Sequence, residues 1–358
     1  MIVLRALRSL RIDMPQLTSI TDLTAEGDIR LALAGLRARA QELSRVAEAT
    51  AQVLAEPDGL STALPAFREF ARASVPRWHF AMLNDHERND ALATALERVV
   101  PRGGTVLDIG AGTGLLAMMA VRAGAAHVYS CEANPLMAEV ARQVVAAEGF
   151  ADRVTVLSCR SDELVVGREL PRRVDAVISE IVDCGLIGEG ILPSIRHARA
   201  ELLAPGGVML PRRARLLGLL LQSENAVNLN RVGSASGFDV SRLNSFATPG
   251  HFPIRLHTWP HRALSEPVEL VSFDFSTDPL GPGGRKLAVP VGESGTVHGV
   301  AAWFEMDLGG GVTLRNSPEN IGSHWMQALV PLAEPLDVEA GSTLVLDLSW
   351  SETSLSLA

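Results

Sequence analysis

Glu180 and Glu189 bracket a short apolar, glycine-containing stretch, Ile181-Val182-Asp183-Cys184-Gly185-Leu186-Ile187-Gly188. Two carboxylates at the carboxyl end of a strand can grip a planar guanidinium by charge-assisted, bidentate hydrogen bonds. A guanidinium has a pKa above about 12, so such acids would orient a nitrogen lone pair and stabilise the remaining charge rather than remove a proton first. Upstream, Val106-Leu107-Asp108-Ile109-Gly110-Ala111-Gly112-Thr113-Gly114 reads as a strand that passes through a glycine loop into a helix, a place where backbone approaches a ligand closely. The spacing is GxGxG; a dinucleotide fingerprint wants GxGxxG, and its sixth position is Leu115 here. Asp108 would repel a pyrophosphate but suits the amino group of an amino-acid-like cofactor, and S-adenosylmethionine carries such an amine. Glu132 ends the next strand 18 residues after Gly114, where a carboxylate can accept both hydroxyls of a ribose. Asp162, beyond the third strand, could accept from an adenine amino group.

These residues need a scaffold that brings strand ends together. Between 105 and 211, short β-branched runs at Thr105 to Ile109, His127 to Cys131, Val154 to Ser158 and Asp175 to Ser179 alternate with helical stretches. That alternation predicts βαβ units and a parallel sheet with ligands at its carboxyl edge. After Pro211 the pattern changes to alternating apolar and polar residues, as in Val268 to Phe275 and Thr343 to Leu348, separated by glycine-rich turns at 281 to 284 and 309 to 311. Antiparallel strands are expected there. Before the α/β region, apolar residues at 29, 33, 36, 43, 46 and 54 predict an amphipathic helix over Asp28 to Ala55, and a second helix is expected over Leu64 to Ala73. The expected domains are therefore a helical region over 1 to 75, a cofactor domain over 76 to 211 and a β domain over 212 to 358.

Composition narrows the class. The 358 residues suffice for two or three domains at roughly 150 residues each. Apolar residues make up 47% and charged residues 20%, with no apolar run near the ~18 residues of a membrane span, so a membrane role is not expected. The net charge of −9 has the wrong sign for a nucleic-acid binder and suits a cationic substrate. Cys131, Cys159 and Cys184 are too few and too scattered for a disulfide framework or a zinc site, so no metal is expected and a reducing compartment is. Arginines interrupt the apolar stretches of the first residues before a signal-peptide core can form, which makes a cytoplasmic location the expectation.

The glutamate-bracketed segment resembles the double-glutamate loop of the protein arginine N-methyltransferases, and the glycine loop resembles that family's cofactor motif. Trp78-His79-Phe80-Ala81-Met82-Leu83-Asn84-Asp85-His86-Glu87-Arg88-Asn89 is similar to the family's cofactor-covering helix. Pro205-Gly206-Gly207-Val208-Met209-Leu210-Pro211 resembles its link into the β-barrel. Leu314-Arg315-Asn316-Ser317-Pro318 and Ser323-His324-Trp325-Met326-Gln327 resemble the barrel's Thr-His-Trp loop, with serine in place of threonine. The matching order spans 76 to 358. The resemblance implies an α/β Rossmann-like methyltransferase domain followed by an antiparallel β-barrel, behind an N-terminal helical appendage. It implies S-adenosylmethionine as cofactor and S-adenosylhomocysteine as product, held by Arg88, Asp108, Gly110, Gly112, Gly114, Glu132 and Asp162, with Met82 beside the sulfonium or in the core. Glu180 and Glu189 would hold the guanidinium, Trp325 would shape the substrate pocket, and His324 would pair with Asp85 as proton acceptor or structural tie.

Departures from the family pattern matter too. The usual tyrosine-rich start of the cofactor-covering helix is missing, since Tyr129 is the single tyrosine. The wording Ser179-Glu180-Ile181-Val182-Asp183-Cys184-Gly185-Leu186-Ile187-Gly188-Glu189-Gly190 is similar to the monomethylating, type III-like branch, which usually carries two modules where this chain has one. A homodimer is therefore expected, with a dimerisation arm at about 225 to 260. The expected reaction is methyl transfer to a terminal guanidino nitrogen of arginine. The single compact module, the extra N-terminal helices and the absence of acidic substrate-tracking runs favour free L-arginine over peptidyl arginine as substrate, and a stand-alone bacterial member of this kind resembles the free-arginine N-methyltransferases of nitrosourea (streptozotocin-type) biosynthesis. The alternatives are a methyltransferase acting on another cation, a catalytically silent scaffold and, more distantly, a nicotinamide oxidoreductase.

Overall fold

The computed structural model describes residues 71–358 without a break, and 35–38, 40–41, 43–45, 47–48, 51 and 68–69 before them. The described residues of the two expected N-terminal helices are helical; the rest of residues 1–70 lies outside the described residues. Two compact units are present, one formed by 1–71 with 231–248, the other by 72–230 with 249–358.

The larger unit opens with two helices, α1 (Trp78–Leu83) and α2 (His86–Val99). Asp85 starts α2 by accepting the backbone N–H of Arg88, which satisfies one of the N–H groups left open at a helix start. There follow β1 (Thr105–Ile109), α3 (Leu115–Arg122), β2 (His127–Cys131), α4 (Pro135–Ala147), β3 (Val154–Leu157), β4 (Val174–Ser179), α5 (Ile191–His197) and β5 (Leu203–Leu210). The five strands form one parallel sheet in the order β3-β2-β1-β4-β5. β1 and β4 are adjacent, so the glycine loop after β1 and the glutamate hairpin after β4 leave the same edge side by side.

The β region continues with β6 (Arg213–Gln222), α6 (Glu224–Val227), β7 (Ser234–Ala235), β8 (Phe238–Asp239), β9 (Phe252–Ile254), β10 (Arg262–Ala263), β11 (Val268–Asp274), β12 (Gly283–Pro290), β13 (Gly295–Gly309), β14 (Val312–Arg315), β15 (Gln327–Val338), β16 (Thr343–Trp350) and β17 (Leu355–Leu357). A seven-stranded antiparallel sheet runs β10-β6-β13-β15-β9, with β11 on β6 and β14 on β13, and a three-stranded sheet runs β12-β16-β17. One apolar core joins the α/β and β regions, from Leu92 and Val106 through Leu186 and Ile187 to Phe304 and Trp325. In the smaller unit β7 and β8 form a hairpin, and Asn244 pins it by bonding both the N–H and the C=O of Val232. Among the described residues, no helix is long and apolar enough to cross a membrane.

Candidate active site

The glycine loop is shaped by positive φ at Gly110 (90°), Gly112 (53°) and Gly114 (81°), the last being the N-cap of α3. A Cβ on Gly110 would stand 2.5 Å from Cγ2 of Ile181, so the loop has packed directly onto the residue after Glu180. Glu132 straps the loop from β2: its Oε2 accepts the Gly112 N–H at 2.9 Å and its Oε1 the Asn134 N–H at 2.8 Å. Each carboxylate oxygen keeps a further lone pair for an incoming hydroxyl. Asp108 is fully buried under the loop, where Ser130 Oγ donates to its Oδ2 at 2.6 Å while its Oδ1 has no partner. Burial pushes the Asp108 carboxyl up to about 7, the nearby Glu132 charge adds to that, and Ser130 and Arg88 oppose it. A buried acid with an orphaned oxygen fits a cofactor ammonium, which would satisfy both the hydrogen bond and the charge.

Arg88 and Glu180 form a buried ion pair, with exposures of 3% and 5% for the two side chains. Nε and Nη2 of Arg88 both donate to Oε2 of Glu180, the Nε contact measuring 2.8 Å, and Nη1 donates to Asn89 Oδ1. Glu180 Oε1 stands outside that pair, and two of the five guanidinium N–H groups of Arg88 are not consumed by these bonds. Burial pushes the Glu180 carboxyl up against the pull of Arg88. The Glu189 carboxyl is pushed up to about 8: the surrounding protein desolvates it, and the negative charges of Glu180, Asp183 and Glu132 add to the effect. Glu189 nonetheless keeps exposed surface, so it stands at the rim of the acid cluster rather than in the core.

A second assembly faces this pair from the β region. His324 Nδ1 lies 2.8 Å from Asp85 Oδ2, and the His324 backbone N–H donates to the same oxygen. Asp85 can only accept, so the ring proton sits on Nδ1 and Nε2 presents a lone pair. For Asp85, burial raises the carboxyl, but N–H donors from His324 and Arg88 outweigh it and hold it below the usual range. His324 is pushed down, by burial first, with Asp85 opposing and Arg88 and Arg255 adding their repulsion. Trp325 is buried; its indole N–H donates to Val182 C=O inside the glutamate hairpin, and its ring packs edge-on against Phe304. The indole thus braces the hairpin, and the Arg88 guanidinium lies 5.9 Å from its ring centroid.

Two of the expected site residues stand apart from this cluster. Asp162 sits on the turn after β3, half exposed and paired with Arg160 at 3.0 Å. Met82 is half-buried on α1, a helix with no buried residue. Sequence reasoning also left roles unassigned that the structure makes plain. Asn316, with no exposed surface, donates to Cys184 C=O and Met326 C=O and accepts the Phe304 N–H, tying the glutamate hairpin to the His-Trp loop and to β13. Gln327 donates to Asn316 C=O and accepts the Leu256 N–H. The signal for Asn316 was its place in the Arg-Asn-Ser-Pro stretch; for Gln327 there was only its place after the His-Trp pair. Asn316→Leu strands two carbonyls and one N–H in the core, and is expected to destabilise the protein by about 3 kcal/mol or more, read as a lowered thermal midpoint.

Comparison with known proteins follows the same division. Residues 224–356 match the family model described as arginine methyltransferase oligomerization subdomain, and 85–211 match that of ribosomal protein L11 methyltransferase. The chain is 54% identical over 330 residues to an arginine N(omega)-methyltransferase of Streptomyces achromogenes subsp. streptozoticus, covering 92% of this chain and 91% of that protein. It is 30% identical to protein arginine N-methyltransferase 9 of Homo sapiens over 84% of this chain, but spans only 40% of that longer protein. Among solved structures, the Trypanosoma brucei PRMT1 enzyme-prozyme heterotetrameric complex with S-adenosylhomocysteine aligns at TM-score 0.65 and 26% identity, covering 75% of this chain and 86% of that one. Arabidopsis thaliana protein arginine methyltransferase 10 aligns at TM-score 0.60, with the same identity and coverage. With a parallel-sheet glycine loop, an acid-bracketed hairpin beside it and relatives of this kind, the chain belongs to the arginine N-methyltransferase family, enzymes whose methyl donor is S-adenosylmethionine.

Proposed function

We propose that the enzyme transfers one methyl group from S-adenosylmethionine to a terminal guanidino nitrogen of free L-arginine, with Glu180 and Glu189 holding the guanidinium. The observation that carries the acid-pair assignment is electrostatic. Glu189 is pushed to about 8 with three other acids around it, and Glu180 keeps Oε1 outside its pair with Arg88. Such a wall is short of positive charge, and a planar cation with parallel N–H donors supplies it.

The cofactor brings an electrophilic methyl on a sulfonium centre. Asp108 would accept from its amino group, Glu132 from the ribose hydroxyls, and the two uncommitted N–H groups of Arg88 would bind its carboxylate; Asp162 is the candidate for the adenine amine. Glu180 and Glu189 fix the plane of the substrate guanidinium, so that one nitrogen lone pair can be aimed in line at roughly 3 Å, the separation at which positioning lowers a barrier most. Proton loss can follow transfer, so no strong base is required. His324, pushed down by burial and presenting Nε2, is suited to accept that proton while Asp85 holds its tautomer.

Free arginine is supported by the Streptomyces relative named for arginine itself, which the chain matches over nearly its whole length. Peptidyl arginine is the second reading, favoured by the names of the protein arginine methyltransferases among the relatives and structural neighbours. A homodimer is supported by the oligomerization-subdomain match and by Phe238, Leu243 and Phe246, exposed on 231–248. Light scattering at twice the chain mass is expected, and a monomer mass contradicts it. Incubation with methyl-labelled cofactor and either L-arginine or a glycine-arginine-rich peptide tests the substrate. The expected outcome is label in free arginine, one methyl per molecule; label in the peptide alone contradicts it.

A further inference from the structure

Asp183, inside the glutamate hairpin, has a fully used carboxylate. Its Oδ1 accepts the backbone N–H of Gly185 at 3.1 Å and of Gly188 at 2.8 Å. Its Oδ2 lies 2.6 Å from His251 Nε2 and 3.8 Å from the Cys184 thiol. His251 is buried, with only 4% of its side chain exposed, and its Nδ1 accepts the Leu355 N–H at 3.2 Å. That bond places the ring proton on Nε2, aimed at Asp183.

The backbone has closed around this pair. Gly185 leaves no room for a Cβ against the His251 ring, and Gly188 leaves none against the Asp183 carboxylate. Gly250, at φ +74°, leaves none against Ser354 and the Leu355 carbonyl. Leu186, between Gly185 and Gly188, is wholly buried and left-handed, at φ 74°, a conformation that a leucine keeps only where its surroundings dictate it. The ligating atoms of Asp183, Cys184 and His251 lie within 4.8 Å of one another, as a metal site would require. Burial pushes the Cys184 thiol far up, however, so it is no thiolate, and Nε2 already donates its proton directly. The group is a hydrogen-bonded dyad.

We propose that His251 is a positioning residue for the substrate arginine: it locks Asp183, and Asp183, through the N–H groups of Gly185 and Gly188, sets the turn from which Glu189 projects. Glu189 directly follows Gly188, so a rotation of the Asp183 carboxylate shifts the acid at its base. A displacement of about 1 Å at a positioning group can cost on the order of a hundredfold in rate or affinity. The inference rests on the reading that Glu189 takes the guanidinium, and it ties the fidelity of that acid to the carboxyl-terminal strand β17, which supplies the Leu355 N–H.

His251→Leu removes the donor, and His251→Gln returns an N–H near the position of Nε2. Steady-state kinetics with arginine, binding of S-adenosylhomocysteine by calorimetry and thermal midpoints are measured for both, with Glu189→Gln in parallel. The expected result for His251→Leu is a KM for arginine raised about tenfold or more, a smaller change in kcat and unaltered S-adenosylhomocysteine affinity, with His251→Gln recovering most of the loss. Unchanged arginine KM in His251→Leu, or a lowered midpoint alone, overturns the proposal. If His251→Leu does not fold, Asp183→Asn, which turns the acceptor facing Nε2 into a donor, is read the same way. A Glu189→Gln variant with unchanged arginine KM sinks the underlying reading instead, whereas a raised KM there with a silent His251→Leu sinks the dyad's role alone.

Discussion

Acids crowded around one buried guanidinium set the terms for this molecule. Asp108, Glu180 and Asp85 are buried where β1, β4 and the start of α2 meet; Glu132 and Glu189 border them, and Arg88 answers this charge from their midst. Its positive charge acts on Asp108 and Glu180 and repels a proton from His324. Like charges in low dielectric cannot all ionise unless cations or donors compensate them, and the shifts of Asp108 to about 7 and Glu189 to about 8 register the shortfall. An amine-bearing sulfonium cofactor and a guanidinium substrate are the two cations that would close it.

Such a site needs walls that do not relax around the crowded charge, and hydrogen bonds to the hairpin backbone together with close packing provide them. Trp325 and Asn316 hold carbonyls of the glutamate hairpin, Asp183 holds two of its N–H groups, and Ile181 fills the space that Gly110 leaves open. The hairpin is thereby fastened to the glycine loop on one side and to the β region on the other. This explains why the α/β and β regions share one core: the ties to the hairpin come from residues far along the chain.

The parts legible from sequence were the local ones. β1 and β2 begin and end where the β-branched runs do, and the glycine loop sits where strand turns into helix, because period and turn chemistry are written in neighbouring residues. The pairing of Arg88 with Glu180 was not legible, since the two lie 92 residues apart and their motifs point to different ligands, cofactor and substrate. His251 gave no signal either: its partners Asp183 and Leu355 are 68 and 104 residues distant, and no spacing rule links them. Asp162 shows the opposite limit, because a strand-end position alone did not reveal that the side chain lies half exposed against Arg160.

Cofactor and substrate cations should enter this site as protons leave it. A carboxyl raised above the usual range is partly protonated near neutrality, and a bound cation favours its anion, so binding must release protons. Calorimetric titration at pH 7 in buffers of different ionisation enthalpy counts them directly, first with S-adenosylhomocysteine and then with arginine added to that complex. With Asp108 at about 7 and Glu189 at about 8, net release is expected in both steps, about half a proton in the first and more in the second. Binding with no proton exchange, or with uptake, would contradict it.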